Sequence, residues 1–151
     1  MADEAAKYCR TVTGSENNVL WRYLYTAELT NADIIMRITA DCPLLSPELC
    51  WEVIKAQRLT GADYCSNVVP RTFPKGFDCE VFTMDLLREA DKHTPDHERE
   101  HVTPWMQRTE NIFNVESPWR MDGRLTLDTW DDYKVICAAF GHDAPEHLRA
   151  A

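Results

Sequence analysis

The chain has 151 residues, a formal net charge of −9 and six cysteines. That length makes one domain burying about 68–70% of its unfolded surface, and the acidic balance speaks against nucleic acid, which needs a basic face. No apolar run approaches the roughly 18 residues of a membrane span, and Met1-Ala2-Asp3-Glu4 lacks the basic start and apolar core of a signal peptide. The cysteines include no Cys-x-x-Cys pair. Several sit in apolar contexts, which reads as buried free thiols of a cytosolic protein rather than a zinc ribbon.

Helix and strand signals alternate along the chain. Asp3 to Arg10 reads as the end of a helix and Thr11-Val12-Thr13 as a short strand. Gly14-Ser15 is expected to open a helix with Val19, Leu20, Tyr23, Leu24 and Ala27 on one face. Asp33 to Ile38 reads as a strand buried on both sides, from its near-continuous apolar character. Ser46-Pro47-Glu48 is a helix start, with Ser as N-cap, Pro in the first turn and an acid beside it. That helix should bury Leu49, Val53 and Ile54 and stop near Thr60-Gly61. Ala62 to Asn67 reads as a strand, Pro70 to Gly76 as an irregular loop and Glu80-Val81-Phe82 as a strand, with Thr83 capping a helix from Met84 to Lys92. Residues 97–108 are expected to be helical, 111–116 and 124–127 strands, and 130–140 the final helix. Strands separated by helical crossovers define an α/β fold of one domain spanning residues 1–151.

Two of these strands end on an aspartate. Arg37-Ile38-Thr39-Ala40-Asp41-Cys42-Pro43 places Asp41 after the first, and Leu125-Thr126-Leu127-Asp128-Thr129 places Asp128 after the last. Ligands of open α/β sheets bind at the carboxyl edge. Two carboxylates brought together there suit Mg²⁺, a hard cation that keeps waters and takes phosphate oxygens. This suggests metal-assisted phosphoryl or nucleotidyl transfer. The plainer alternative makes each Asp merely the N-cap of the next helix.

His97-Glu98-Arg99-Glu100-His101 formally matches H-E-x-x-H, the zinc-peptidase signature. Its central positions are charged, and the approach Lys92-His93-Thr94-Pro95-Asp96 is a polar turn. His142 and His147 lie downstream but make no convincing third ligand. A solvated helix start capped by Asp96 accounts for the pattern better.

Six segments, in order, resemble the spore-coat-polysaccharide-type cytidylyltransferases, relatives of the CMP-sialate and CMP-3-deoxy-manno-octulosonate synthetases. They are Gly14-Ser15-Glu16-Asn17-Asn18-Val19-Leu20-Trp21-Arg22-Tyr23, Arg37 to Leu44, Ala62 to Asn67, Pro70 to Phe82, Glu98 to Pro104 and Leu127-Asp128-Thr129. The resemblance implies a three-layer, Rossmann-like nucleotidyltransferase sheet with helices on both faces. It implies transfer of a nucleotide from CTP to an acidic sugar, with pyrophosphate release, for surface polysaccharide synthesis. Asp41 and Asp128 take the places of the family's catalytic Mg²⁺ ligands. Gly14, Ser15, Glu16, Thr39 and Ala40 fall on the nucleotide side, with Ala40 where the family usually has Gly. Arg71, Lys75, Asp78, Glu80, Arg99, Glu100 and His101 fall on the acceptor side.

The family's phosphate-cradling Arg-x-x-Ser-x-Arg-Leu-Pro-Gly-Lys loop has no counterpart in residues 1–13, and no glycine precedes Gly14. The expectation is therefore a fold incomplete at its N-terminus, matching the last two-thirds of the family. Such a chain would transfer nucleotides poorly by itself. The alternative is a non-catalytic remnant acting as a binding or dimerisation module. Open sheet edges and exposed helix faces would favour self-association, a homodimer being the simplest product.

Overall fold

Three hydroxyl side chains start three helices. Ser46 accepts the Leu49 amide at 3.3 Å, Thr83 the Leu86 amide at 3.2 Å and Thr129 the Asp132 amide at 3.2 Å, each satisfying an otherwise orphaned donor of the first turn. In the computed structural model, which describes residues 2–119 and 121–145, the elements are α1 (Ala2–Ala5), α2 (Val19–Thr30), β1 (Ile34–Arg37), α3 (Pro47–Thr60), β2 (Tyr64–Ser66), β3 (Glu80–Thr83), α4 (Met84–His93), β4 (Ile112–Asn114) and α5 (Trp130–Ala139). The four strands form one mixed sheet in the order β1-β3-β2-β4. The fold is α/β.

Burial follows position in that sheet. The central strands β2 and β3 are buried almost throughout, whereas the edge strands β1 and β4 are not. The expectation that Asp33–Ile38 is buried on both sides is thus corrected: Ile34 is 41% and Ile38 51% exposed. An edge strand has a neighbour on one side only, and a run of apolar residues does not reveal which strand that will be.

Other expectations also shift. Thr11–Thr13 is not a strand among the described residues, since β-branched residues without a pairing partner gain nothing from extension. Helix α2 begins at Val19, with the Asn18 carboxamide accepting the Trp21 amide at 3.1 Å, rather than at Gly14-Ser15. Residues 97–108 are not one helix but two 3₁₀ turns, Asp96–Glu98 and Met106–Arg108. Between them Val102 adopts φ +68° while fully buried. That conformation is rare for a β-branched residue, and Pro104 keeps Thr103 out of the α region. Core burial of Val102 overrides its backbone preference. Residues 124–127 form no regular strand, only a bridge from Arg124 to Lys75.

The chain divides into two compact units, one made of the segment up to Ile35 with Ala62–Tyr64 and Phe82–Ile112, the other of Met36–Gly61, Cys65–Val81 and the segment from Phe113 onward. The first is built on Leu20, Tyr64, Phe82, Leu87, Val102 and Met106. The second packs Leu49 and Val53 of α3 against Cys65, Cys79 and Val81. Full burial of each large apolar side chain contributes about 1.5–3 kcal/mol.

Burial pushes the Cys65 thiol up to about 11 and raises that of Cys79 further, with Cys50 beside it. Protonated, enclosed thiols are poor nucleophiles. Brief iodoacetamide treatment of the native chain should therefore label exposed Cys9 and leave Cys65 and Cys79 unlabelled until denaturant is added. Early labelling of Cys65 would contradict this packing.

Candidate active site

The site residues of the second unit are held by a loop that its own side chains shape. Asn67 is fully buried at the end of β2. Its amide nitrogen donates to the Phe77 carbonyl at 2.6 Å, and its carbonyl accepts the Cys79 amide at 2.9 Å. Asn114 of β4 accepts from the Val69 amide at 3.1 Å and donates to the Pro70 carbonyl at 2.9 Å. Together they fix both ends of the 68–79 loop. Within it, Arg71 closes a two-pronged ion pair on Asp78 at 2.6 and 2.8 Å, the geometry that gives such pairs their directionality.

The loop then meets the segment before Asp128. Leu125 donates its amide to the Lys75 carbonyl at 2.7 Å, and the Lys75 amide donates to the Gly123 carbonyl at 3.1 Å. Gly76 makes the approach feasible. It adopts φ +102°, and a Cβ there would lie 2.6 Å from both the carbonyl carbon and the oxygen of Leu125. Gly76→Ala should cost about 1–3 kcal/mol from backbone strain alone, read as a lower urea midpoint. An unchanged midpoint would contradict the tight packing of these two segments.

The segments that carry the two aspartates meet next. The Leu127 amide donates to the Asp41 carbonyl at 2.8 Å, so the backbone of Asp41 pairs with the residue preceding Asp128. Neither aspartate caps a helix: Ser46 caps α3 and Thr129 caps α5, the latter in a capping box completed by Asp132. Their carboxylates are therefore not committed to helix starts. Asp41 is half-buried, and the Cys42 thiol lies 3.7 Å from its Oδ1 and 3.2 Å from the Thr39 hydroxyl. Burial raises the Cys42 pKa, which keeps that thiol a donor.

Asp128 is exposed and engages the Arg124 guanidinium and, at 2.8 Å, the Thr126 hydroxyl. These two partners hold its carboxyl below the usual carboxylate range. Arg124 also reaches Asp132 at 3.2 Å. With Arg71, Lys75, Phe73, Met121, Asp122 and Gly123 it lines a pocket of about 350 Å³. Arg124 was not singled out by the sequence. Spacing alone gave no signal: four extended residues span about 13 Å, so the pairing with Asp128 depends on the irregular backbone after Arg124.

Other candidates are placed differently. Glu80 is 3% exposed and pairs with Arg37 at 2.5 Å. Thr39 is half-buried and Ala40 exposed in the turn before Asp41. Gly14, Ser15 and Glu16 belong to the first unit, in an exposed segment where Gly14 packs against Arg22. Arg99, also in the first unit, donates to the Asn18 carboxamide at 3.0 Å and to the Asp91 carbonyl at 2.9 Å, and pairs with the Asp91 carboxylate. It ties the start of α2 to the end of α4. Glu100 and His101 lie exposed in the turn that follows.

Because this stretch is not an α-helix, His97 and His101 do not stand one helical turn apart, and Glu98 is paired with Arg108. No group of three or more metal-ligating side chains occurs among the described residues. His147 lies outside the described residues.

No protein-family model matches the chain. An uncharacterized protein of Methanocaldococcus jannaschii is 37% identical over 81% of the chain and 52% of that protein. The spore coat polysaccharide biosynthesis protein SpsF of Bacillus subtilis is 32% identical over 87% of the chain and 57% of that protein. The chain thus spans about half the length of these relatives. A solved cytidylyltransferase structure from Leptospira borgpetersenii superposes with a TM-score of 0.85 at 31% identity, covering 91% of this chain and 63% of that one. Fold and sequence likeness together define a nucleotidyltransferase-type α/β protein. The spore coat relative and the structural match support assignment to the cytidylyltransferase family. Among the described residues, no helix is long and apolar enough to cross a membrane.

Proposed function

We propose that this chain carries the metal and acceptor half of a cytidylyltransferase that transfers a cytidylyl group from CTP to an acidic sugar in surface polysaccharide synthesis. The observation that carries the reading is the hydrogen bond from the Leu127 amide to the Asp41 carbonyl, which brings the two aspartate segments together near a pocket lined by Arg71, Lys75 and Arg124. The donor set suits Mg²⁺: two carboxylates free of capping duty, at a place where Asp128 already draws a positive charge. Asp41 and Asp128 would hold the ion, which when bound neutralises phosphate charge and orients the nucleotide.

The remaining roles belong to the chain itself. Lys75 and Arg124 face the pocket and suit the carboxylate of an acidic sugar, while Arg71 keeps the loop rigid through Asp78. Arg37, at the end of the strand that leads to Asp41, is held by the buried Glu80. An acceptor hydroxyl oxygen attacks the α-phosphorus and gives up its proton to water, the bond to the bridging oxygen breaks, and pyrophosphate leaves with that electron pair. Rate enhancement in such transfers is mainly positioning and electrostatic stabilisation.

The test is pyrophosphate release from CTP with a panel of acidic sugars and MgCl2, using residues 1–151. The same assay with the residues joined to the unmatched length of a relative covers the case in which the activity needs more chain. Release dependent on metal and acceptor in either form supports the reading. Its absence in both, with the fold intact by circular dichroism, rejects it.

A further inference from the structure

Arg124 stands between two partners. Its guanidinium pairs with Asp128 and Asp132, while the same side chain lines the pocket it shares with Arg71 and Lys75. The Arg71 fork is closed on Asp78, which leaves Arg124 as a guanidinium able to change partner. Arg124 and Asp128 are each about half exposed, at 48% and 51%, so water and salt screen their pair and leave it weak. A divalent cation competing for the same carboxylate can displace it. Losing Arg124 would not undo the helix start: the Asp132 carboxylate still accepts the Asp128 and Thr129 amides at 3.0 and 2.8 Å.

We propose that Arg124 is a place-holder cation that neutralises Asp128 until a divalent metal arrives, and is then released to bind an anionic group of the acceptor in the adjoining pocket. The inference rests on Asp128 being a metal ligand. It makes metal and acidic acceptor binding mutually reinforcing, since the ion frees the residue that the acceptor needs. Reciprocity follows: the acceptor must tighten metal binding by the same factor.

The experiment titrates the chain calorimetrically with a sialic acid as the carboxylate-bearing probe, in excess MgCl2 and in EDTA, for wild type, Arg124→Gln and Arg124→Lys. A parallel Mn²⁺ titration of wild type and Asp128→Asn reads the metal site alone. Wild type should bind the probe about fivefold tighter or more with Mg²⁺ than without. Arg124→Gln should bring that ratio to one while the melting temperature stays unchanged, and Arg124→Lys should restore part of it. A ratio of one in wild type, no saturable probe binding in either condition, or an undiminished ratio in Arg124→Gln overturns the proposal. If Asp128→Asn keeps wild-type Mn²⁺ affinity, the metal assignment fails and takes this inference with it. If Asp128→Asn loses Mn²⁺ while Arg124→Gln keeps the coupling, only the role of Arg124 fails.

Discussion

Asp41→Asn and Asp128→Asn should each lower cytidylyl transfer by about 10²–10³-fold, the usual scale for losing one principal electrostatic contributor to a transition state. Neither change should lower stability appreciably. Asp41 keeps its backbone bond to Leu127, because the carbonyl and not the carboxylate accepts it. Asp128 loses a weak, exposed pair with Arg124. The measurement is initial rates of pyrophosphate release alongside thermal melts, in whichever form of the protein supports turnover. Near-normal rates in either variant contradict the assignment, whatever the melts show.

Glu80→Ala should do the opposite, damaging stability first. The Glu80 carboxylate is almost wholly buried against Arg37, whose side chain is only 18% exposed. Removing one member of a buried pair strands the other charge, at about 3–5 kcal/mol. The partial exposure of Arg37 places the loss toward the lower end. Urea unfolding should show it as a lower midpoint with an unchanged slope. Replacing both partners together, Arg37→Met with Glu80→Leu, should recover much of the loss, since an apolar pair needs no counter-charge. A loss below about 1 kcal/mol in the single variant would mean the pair is not enclosed as described.

The contrast between these residues explains what the sequence could tell. Two helix starts were legible because capping is local: Ser46 and Thr83 stand at their caps with the residues they serve within one turn. The central strands β2 and β3 were legible too, where short β-branched and aromatic runs coincide with burial. Exposure of β1 was not, because its place at the sheet edge depends on residues far away in sequence. The 97–108 segment misled for a related reason. Its local pattern suits a helix, but burial of Val102 in the first core imposes a left-handed backbone there. Residues 124–127 were read as a strand from a short apolar run, whereas their partners are the loop carbonyl of Lys75 and the backbone of Asp41.

The site divides along the same line. Asp41 and Asp128 stood out because each closes an apolar run. Lys75 and Arg71 were put on the acceptor side by the family resemblance, and both line one pocket. Asn67 and Asn114, which give that loop its shape, are uncharged and carry no sequence signal beyond their type. Glu80, which the resemblance put on the acceptor side, is almost wholly buried and paired with Arg37. Charge alone does not tell a residue that meets a ligand from one that supports the residue that does.

The central claim is that Asp41 and Asp128 share one divalent cation. Mn²⁺ binding followed by electron paramagnetic resonance tests it most directly, because it needs neither nucleotide nor acceptor nor turnover. The account predicts a single saturable site in the wild-type chain, weakened about tenfold or more by Asp41→Asn and by Asp128→Asn. The double variant should then be little worse than either alone, as expected for two groups acting on one ion. Equal Mn²⁺ affinity in wild type and both single variants, or losses that simply add in the double variant, would contradict it.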